Sequence, residues 1–142
     1  MGNTIAIVWE QTGCWAVALR RGGLPAGCRL IETRSLDACR EEVRQTPRAM
    51  VVCEATEQNL PRVLRLLVEL QATSPETRAM VVGARAMQRH ESLLREAGAV
   101  HAVFSPRRLS TTNAMLQRNM PAPVCTTDSL EEFAWSRLPW GP

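Results

Sequence analysis

Thr46-Pro47-Arg48-Ala49-Met50-Val51-Val52-Cys53 is the stretch on which the fold turns. From Ala49 to Cys53 no polar residue interrupts the apolar run. A run that short and continuous reads as a strand buried on both faces, the kind parallel sheets contain. Pro47 closes the preceding element, because the residue before a proline is pushed out of helical geometry. Polar residues 54–58 follow as a loop. Working outward, the same kind of run appears at Ile5-Ala6-Ile7-Val8-Trp9, Arg78-Ala79-Met80-Val81-Val82-Gly83 and Ala99-Val100-His101-Ala102-Val103-Phe104. Arg29-Leu30-Ile31-Glu32-Thr33 instead alternates polar and apolar, which predicts a strand nearer the sheet edge.

Helical patterns lie between the strands. Trp15, Ala18 and Leu19 share one helical face, and Gly22-Gly23 stops it. Ser35 caps a second helix carrying Leu36, Cys39 and Val43. Asn59 caps a third, with Pro61 in its first turn and Leu60, Val63, Leu64, Leu67 and Leu70 as its apolar stripe. Met87, Leu94 and Ala97 mark a fourth, ended by Gly98. Ser110 or Thr111 starts a fifth through Met115 and Leu116. Successive strands begin 20 to 29 residues apart. Those are βαβ lengths, so the expected architecture is a three-layer α/β/α sandwich on a five-stranded parallel sheet.

Composition narrows the function. The 142 residues are 45% hydrophobic and 22% charged, enough for one core and against disorder. No apolar run reaches the roughly 20 residues of a membrane span, and residues 1–6 show neither a basic signal region nor a myristoylation pattern. All 17 basic residues are Arg. Arginine does not deprotonate, so lysine chemistry, the phosphate-loop lysine included, is excluded. A net charge of +3 spread along the chain argues against nucleic acid. The cysteines at 14, 28, 39, 53 and 125 are odd in number and lack metal-ligand spacing. Cys14, Cys39 and Cys53 fall in apolar periodic segments, where buried free thiols are expected. Residues 10–15 hold a single glycine, too few for a dinucleotide fingerprint. No metal and no cofactor is expected, and the cytoplasm is the expected location.

Past residue 120 the pattern changes. Pro121-Ala122-Pro123 predicts a stiff linker, so residues 1–120 form one domain and 121–142 a tail. The tail holds Phe133, Trp135 and Trp140, three of the six aromatic residues of the chain. It either docks on the domain or carries aromatic anchors for a partner.

Thr46-Pro47-Arg48-Ala49-Met50-Val51-Val52-Cys53, Glu96-Ala97-Gly98-Ala99-Val100 and Phe104-Ser105-Pro106, with this element order, resemble the receiver domain of bacterial two-component response regulators. The resemblance covers about residues 4–120. It implies a flavodoxin-like fold with strand order 2-1-3-4-5. It also implies a phosphoacceptor pocket at the strand carboxyl ends. There, two acids after the first strand hold Mg²⁺, an Asp ends the third strand, a Ser or Thr ends the fourth and a Lys ends the fifth.

This chain departs from that set at each position. Trp9-Glu10-Gln11 leaves at most one acid after the first strand. The acceptor position falls on Cys53, or on Glu54 one residue later; the two point to opposite faces, so only one enters the pocket. Gly83 replaces the hydroxyl and Ser105 the lysine. Glu10 and Glu54 read as solvated loop acids, as a fixed negative charge, or as a residual cation site. The reading that follows is a non-phosphorylatable, non-enzymatic pseudo-receiver working through protein contacts with a signalling partner or with a second copy as a homodimer. Candidate contact residues are Arg85, Arg89, Arg107, Arg108 and Arg118, with Phe133, Trp135 and Trp140. The alternative is a small-molecule-binding or enzymatic flavodoxin-like domain using the strand ends at Glu10, Cys53 and Gly83. A cysteine nucleophile at Cys53 would need His90 or His101 beside it.

Overall fold

The computed structural model describes residues 4–24 and 27–105. The first strand, β1 (Thr4–Trp9), runs through Gly13 into helix α1 (Cys14–Ala18). A π-helical turn, Leu19–Gly23, extends α1 before β2 (Cys28–Thr33) and α2 (Leu36–Gln45). Then come β3 (Met50–Ala55), α3 (Leu60–Thr73), β4 (Arg78–Gly83), a 3₁₀ segment (Arg85–His90), α4 (Glu91–Ala97) and β5 (Ala99–Val103). All strand pairs are parallel, in the order β2-β1-β3-β4-β5. The expected sheet and order are therefore present. The expected fifth helix, the linker and the aromatic tail lie outside the described residues.

Strand alternation divides the core between two faces. Ile7, Trp9, Val51 and Cys53 point to one side, where Cys39 and Val43 of α2, Val63, Leu66 and Leu67 of α3, and Leu94 of α4 cover them. Val8, Met50, Val52, Met80 and Val82 point to the other, against Trp15 and Leu19. Side chains such as Ile7, Leu66, Leu67 and Met80 are fully buried, and each contributes roughly 1.5–3 kcal/mol by leaving water. The central strand β3 is buried throughout, while β2, at the edge, is mostly half-exposed, as its alternation predicts.

Several local expectations need correction. The polar loop after β3 begins later than expected, because Glu54 and Ala55 still pair with Val82 and Gly83 of β4. The fourth helix opens as a 3₁₀ turn, with Met87 buried in it. Leu66, absent from the expected stripe of α3, is buried, and Leu64 is only partly so. Cys14 is exposed and Cys28 half-buried, so only Cys39 and Cys53 of the described cysteines are core thiols. The reason is position: Cys14 is the first residue of α1, on its open side, while Trp15 and Ala16 face the sheet. Cys125 lies outside the described residues.

Candidate functional site

The carboxyl end of the sheet gathers the site. β1 ends at Trp9, and Glu10 turns inward; it is only 2% exposed. One of its carboxylate oxygens, Oε2, accepts the Ala16 N–H of α1 at 2.9 Å. The other, Oε1, is buried with no hydrogen-bond partner. Burial pushes the Glu10 carboxyl above the ordinary glutamate range. The Ala16 N–H opposes that shift, the charge of Glu54 adds to it, and the Trp15 N–H and Arg34 oppose it.

Glu54 sits across from Glu10 on β3 and is 7% exposed. Its Oε1 accepts the Gln11 N–H at 3.1 Å and its Oε2 accepts the Thr12 hydroxyl at 3.3 Å. Glu54 thereby grips the β1–α1 connection. Its own backbone is fastened from the other side, where Asn59 Nδ2 donates to the Glu54 carbonyl at 2.9 Å. Asn59 Oδ1 accepts the Thr56 N–H at 2.7 Å, and Thr56 Oγ1 accepts the Asn59 N–H at 3.1 Å. Asn59 was expected to cap α3 with its side chain; it stands at the cap position but uses its amide on the loop before the helix. Glu10 and Glu54 are thus not solvated loop acids. Both are buried, and both are bonded to the chain itself.

Alternation sends the two acceptor candidates in opposite directions. Cys53 pairs with Trp9 in the sheet and faces the α2–α3 side, fully buried. Burial drives its thiol well above the ordinary range, with Cys39 adding to the shift. Cys53 and Glu54 therefore point to opposite sides of β3, and it is the Glu54 carboxylate that reaches the β1–α1 connection. His90 engages Glu57 at the surface instead (Nε2 to Oε1, 3.2 Å), and His101 lies on β5 with Nδ1 buried and unpartnered.

Gly83 ends β4 opposite Ala55. A Cβ added there would lie 2.8 Å from the Ala55 carbonyl oxygen, so the backbone itself leaves no room for a hydroxyl-bearing residue. Ser105 follows β5 at the same end of the sheet, half-buried.

One participant was not found in the sequence. Thr33 pairs with Trp9 in the β1–β2 register, which sets the next residue, Arg34, beside Glu10. Arg34 Nη1 donates to the Gln11 carbonyl at 3.1 Å. The signal was the parallel pairing of β1 with β2: the residues that follow two paired strands are neighbours.

Of the candidate contact residues, Arg85 and Arg89 are exposed on the 3₁₀ segment. Arg89 is committed to Glu57 by an ion pair joined by His90. The Arg89 hydrogen bond holds the Glu57 carboxyl below its ordinary range. Arg107, Arg108, Arg118, Phe133, Trp135 and Trp140 lie outside the described residues.

A receiver-type pocket implies Mg²⁺, and the donor set here does not fit it. Glu10 is flanked by Trp9 in the core and by the exposed Gln11, so no second acid adjoins it. Glu10 Oε2 and both oxygens of Glu54 already accept hydrogen bonds from the chain. Mg²⁺ demands several oxygen ligands in near-octahedral array. Among the described residues no group of three or more His, Cys, Asp or Glu side chains is placed to hold a metal.

No family model matches the chain, and no curated protein does. Among solved structures, a response regulator from Thermotoga maritima matches with a TM-score of 0.68 at 18% identity, covering 86% of this chain and 100% of that one. That likeness shows the fold: a five-stranded parallel α/β sandwich like that of the response regulator. Among the described residues no helix is long and apolar enough to cross a membrane.

Proposed function

We propose that this chain is a non-enzymatic pseudo-receiver, a signalling module that accepts no phosphoryl group and acts through protein contacts. One observation carries the reading. The two carboxylates at the strand ends are taken up by the chain's own donors, Glu10 by Ala16 N–H and Glu54 by Gln11 N–H and the Thr12 hydroxyl. A phosphoacceptor needs a free carboxylate oxygen, a bound cation, and a positive group to neutralise the added charge. Here the acceptor is a glutamate held at both oxygens, and the sequence has no lysine.

The test is direct phosphorylation. The full chain is incubated with acetyl phosphate and Mg²⁺, then analysed by intact-mass measurement and phosphate-affinity electrophoresis. The expected result is no added phosphoryl group. A mass gain labile to hydroxylamine, mapped to Glu54, overturns the reading.

In this reading residues 1–120 are the receiver-like domain and residues 121–142 carry the contacts to a partner protein or a second copy, in the cytoplasm. Deleting residues 125–142 then leaves the melting temperature essentially unchanged, as measured by circular dichroism. A large fall in melting temperature makes the tail part of the domain instead.

A further inference from the structure

We infer that Arg34 supplies the resident positive charge of the strand-end pocket, its guanidinium facing the Glu10 carboxylate across Gly13. The inference rests on the proposed function and deepens it, since it says what occupies the pocket in place of a metal.

Four observations converge. The pairing of Trp9 with Thr33 brings Arg34 alongside Glu10. Gly13, at φ +82°, lies between the two groups: an added Cβ would be 3.3 Å from Arg34 Nη2, 3.7 Å from Nη1 and 3.8 Å from Glu10 Oε1. The guanidinium and the carboxylate thus flank Gly13 from two sides without an ion-pair contact, so the charge of Arg34 acts on Glu10 across a gap. Arg34 also donates to the Gln11 carbonyl, so it is fastened to the loop whose next donors Glu54 holds. Finally, Glu10 Oε1 is buried with no hydrogen-bond donor. A buried carboxylate oxygen left so is costly unless positive charge stands close. The charged groups that act on Glu10 are Glu54 from β3, which disfavours its ionised form, and Arg34 from the β2–α2 connection, which favours it.

Arginine suits this place because its charge is permanent and its fork of donors can serve a carbonyl while the cation faces a carboxylate. A divalent cation would have to enter against that fixed charge.

The experiment uses the full chain with Arg34→Met, which removes the charge and keeps the stem, and Arg34→Lys, which keeps the charge. Arg34 is exposed, so neither change empties the core. The Glu10 carboxyl is titrated by ¹³C NMR, its signal identified by its loss in Glu10→Gln. The melting temperature is measured with MgCl₂ and with NaCl at equal ionic strength. Expected are an upward move of the Glu10 titration in Arg34→Met, a near-wild-type titration in Arg34→Lys, and a wild-type melting temperature indifferent to Mg²⁺. An unmoved Glu10 titration in Arg34→Met, or a Mg²⁺-dependent rise in the wild-type melting temperature, overturns the inference. Phosphoryl uptake from acetyl phosphate sinks the proposed function whatever the Arg34 variants do. An unmoved titration sinks the role of Arg34 alone.

Discussion

Glu10 is the residue at which burial and bonding compete most openly. Its proton is held more tightly in the folded chain than in the unfolded one, because desolvation dominates. Between the ordinary glutamate range and the raised folded value, the folded state therefore binds more protons than the unfolded state, and stability falls as pH rises. Urea denaturation across that window should show the decline, and Glu10→Gln, which keeps an acceptor for Ala16 N–H, should flatten it. Gly83 supplies a second test. Gly83→Ser restores a hydroxyl-bearing residue at that position but drives its Cβ onto the Ala55 carbonyl. We expect a loss of about 1–3 kcal/mol in chemical denaturation, the usual cost of overpacking, and no gain of phosphorylation. Position 83 was legible in the sequence as a missing hydroxyl. The reason glycine stands there was not, because the close approach of β3 backbone is a fact of register. Arg34 was illegible for the same cause: nothing in Thr33-Arg34-Ser35 names Glu10 as a neighbour until β1 and β2 are paired.

At the scale of elements, the loop between β3 and α3 depends on one side chain. Asn59 serves the Glu54 carbonyl and the Thr56 N–H at once and is itself buried. Asn59→Ala leaves both groups without that partner, so a loss of about 1–3 kcal/mol is expected. Faster amide hydrogen exchange at Thr56 and Gln11 should accompany it, since Glu54 is released with the loop. Ser35 gives the contrasting case, a cap that works as its residue type predicts, accepting Ala38 N–H at 3.1 Å. Ser35→Ala should cost about 0.5–2 kcal/mol. The existence of every described strand and α-helix could be read from periodicity, because apolar spacing reflects burial directly; the π turn after α1 and the 3₁₀ segment before α4 could not. Their ends could not. Glu54 looked like the first loop residue because a carboxylate rarely closes a buried strand; tertiary hydrogen bonds from Gln11 and Thr12 make it tolerable there. Leu66 falls outside the predicted stripe because the leucines of α3 are so dense that two adjacent stripes fit the helical period equally well.

For the whole molecule, among the described residues each side of the sheet holds one tryptophan, Trp9 on the side covered by α2 and α3 and Trp15, from α1, on the other. The other two tryptophans of the chain are Trp135 and Trp140. Residues 1–120 therefore carry a built-in probe for each layer. Trp9→Phe and Trp15→Phe versions of that fragment should give coincident fluorescence transitions in urea, matching far-UV circular dichroism, because one sheet serves both layers. Separate midpoints would mean that the layers melt independently. The sheet order also has a temporal side. β1 pairs with β2, β3 with β4 and β4 with β5, all neighbours in the chain, but β3 also pairs with β1, which is thereby wedged between β2 and β3. A ribosome delivers β1 first, yet the flank that β3 will cover stays bare until Met50–Ala55 has been made. The first of these five strands thus waits through the synthesis of β2 and α2 before its second flank is covered, and until then the nascent chain carries an open strand edge.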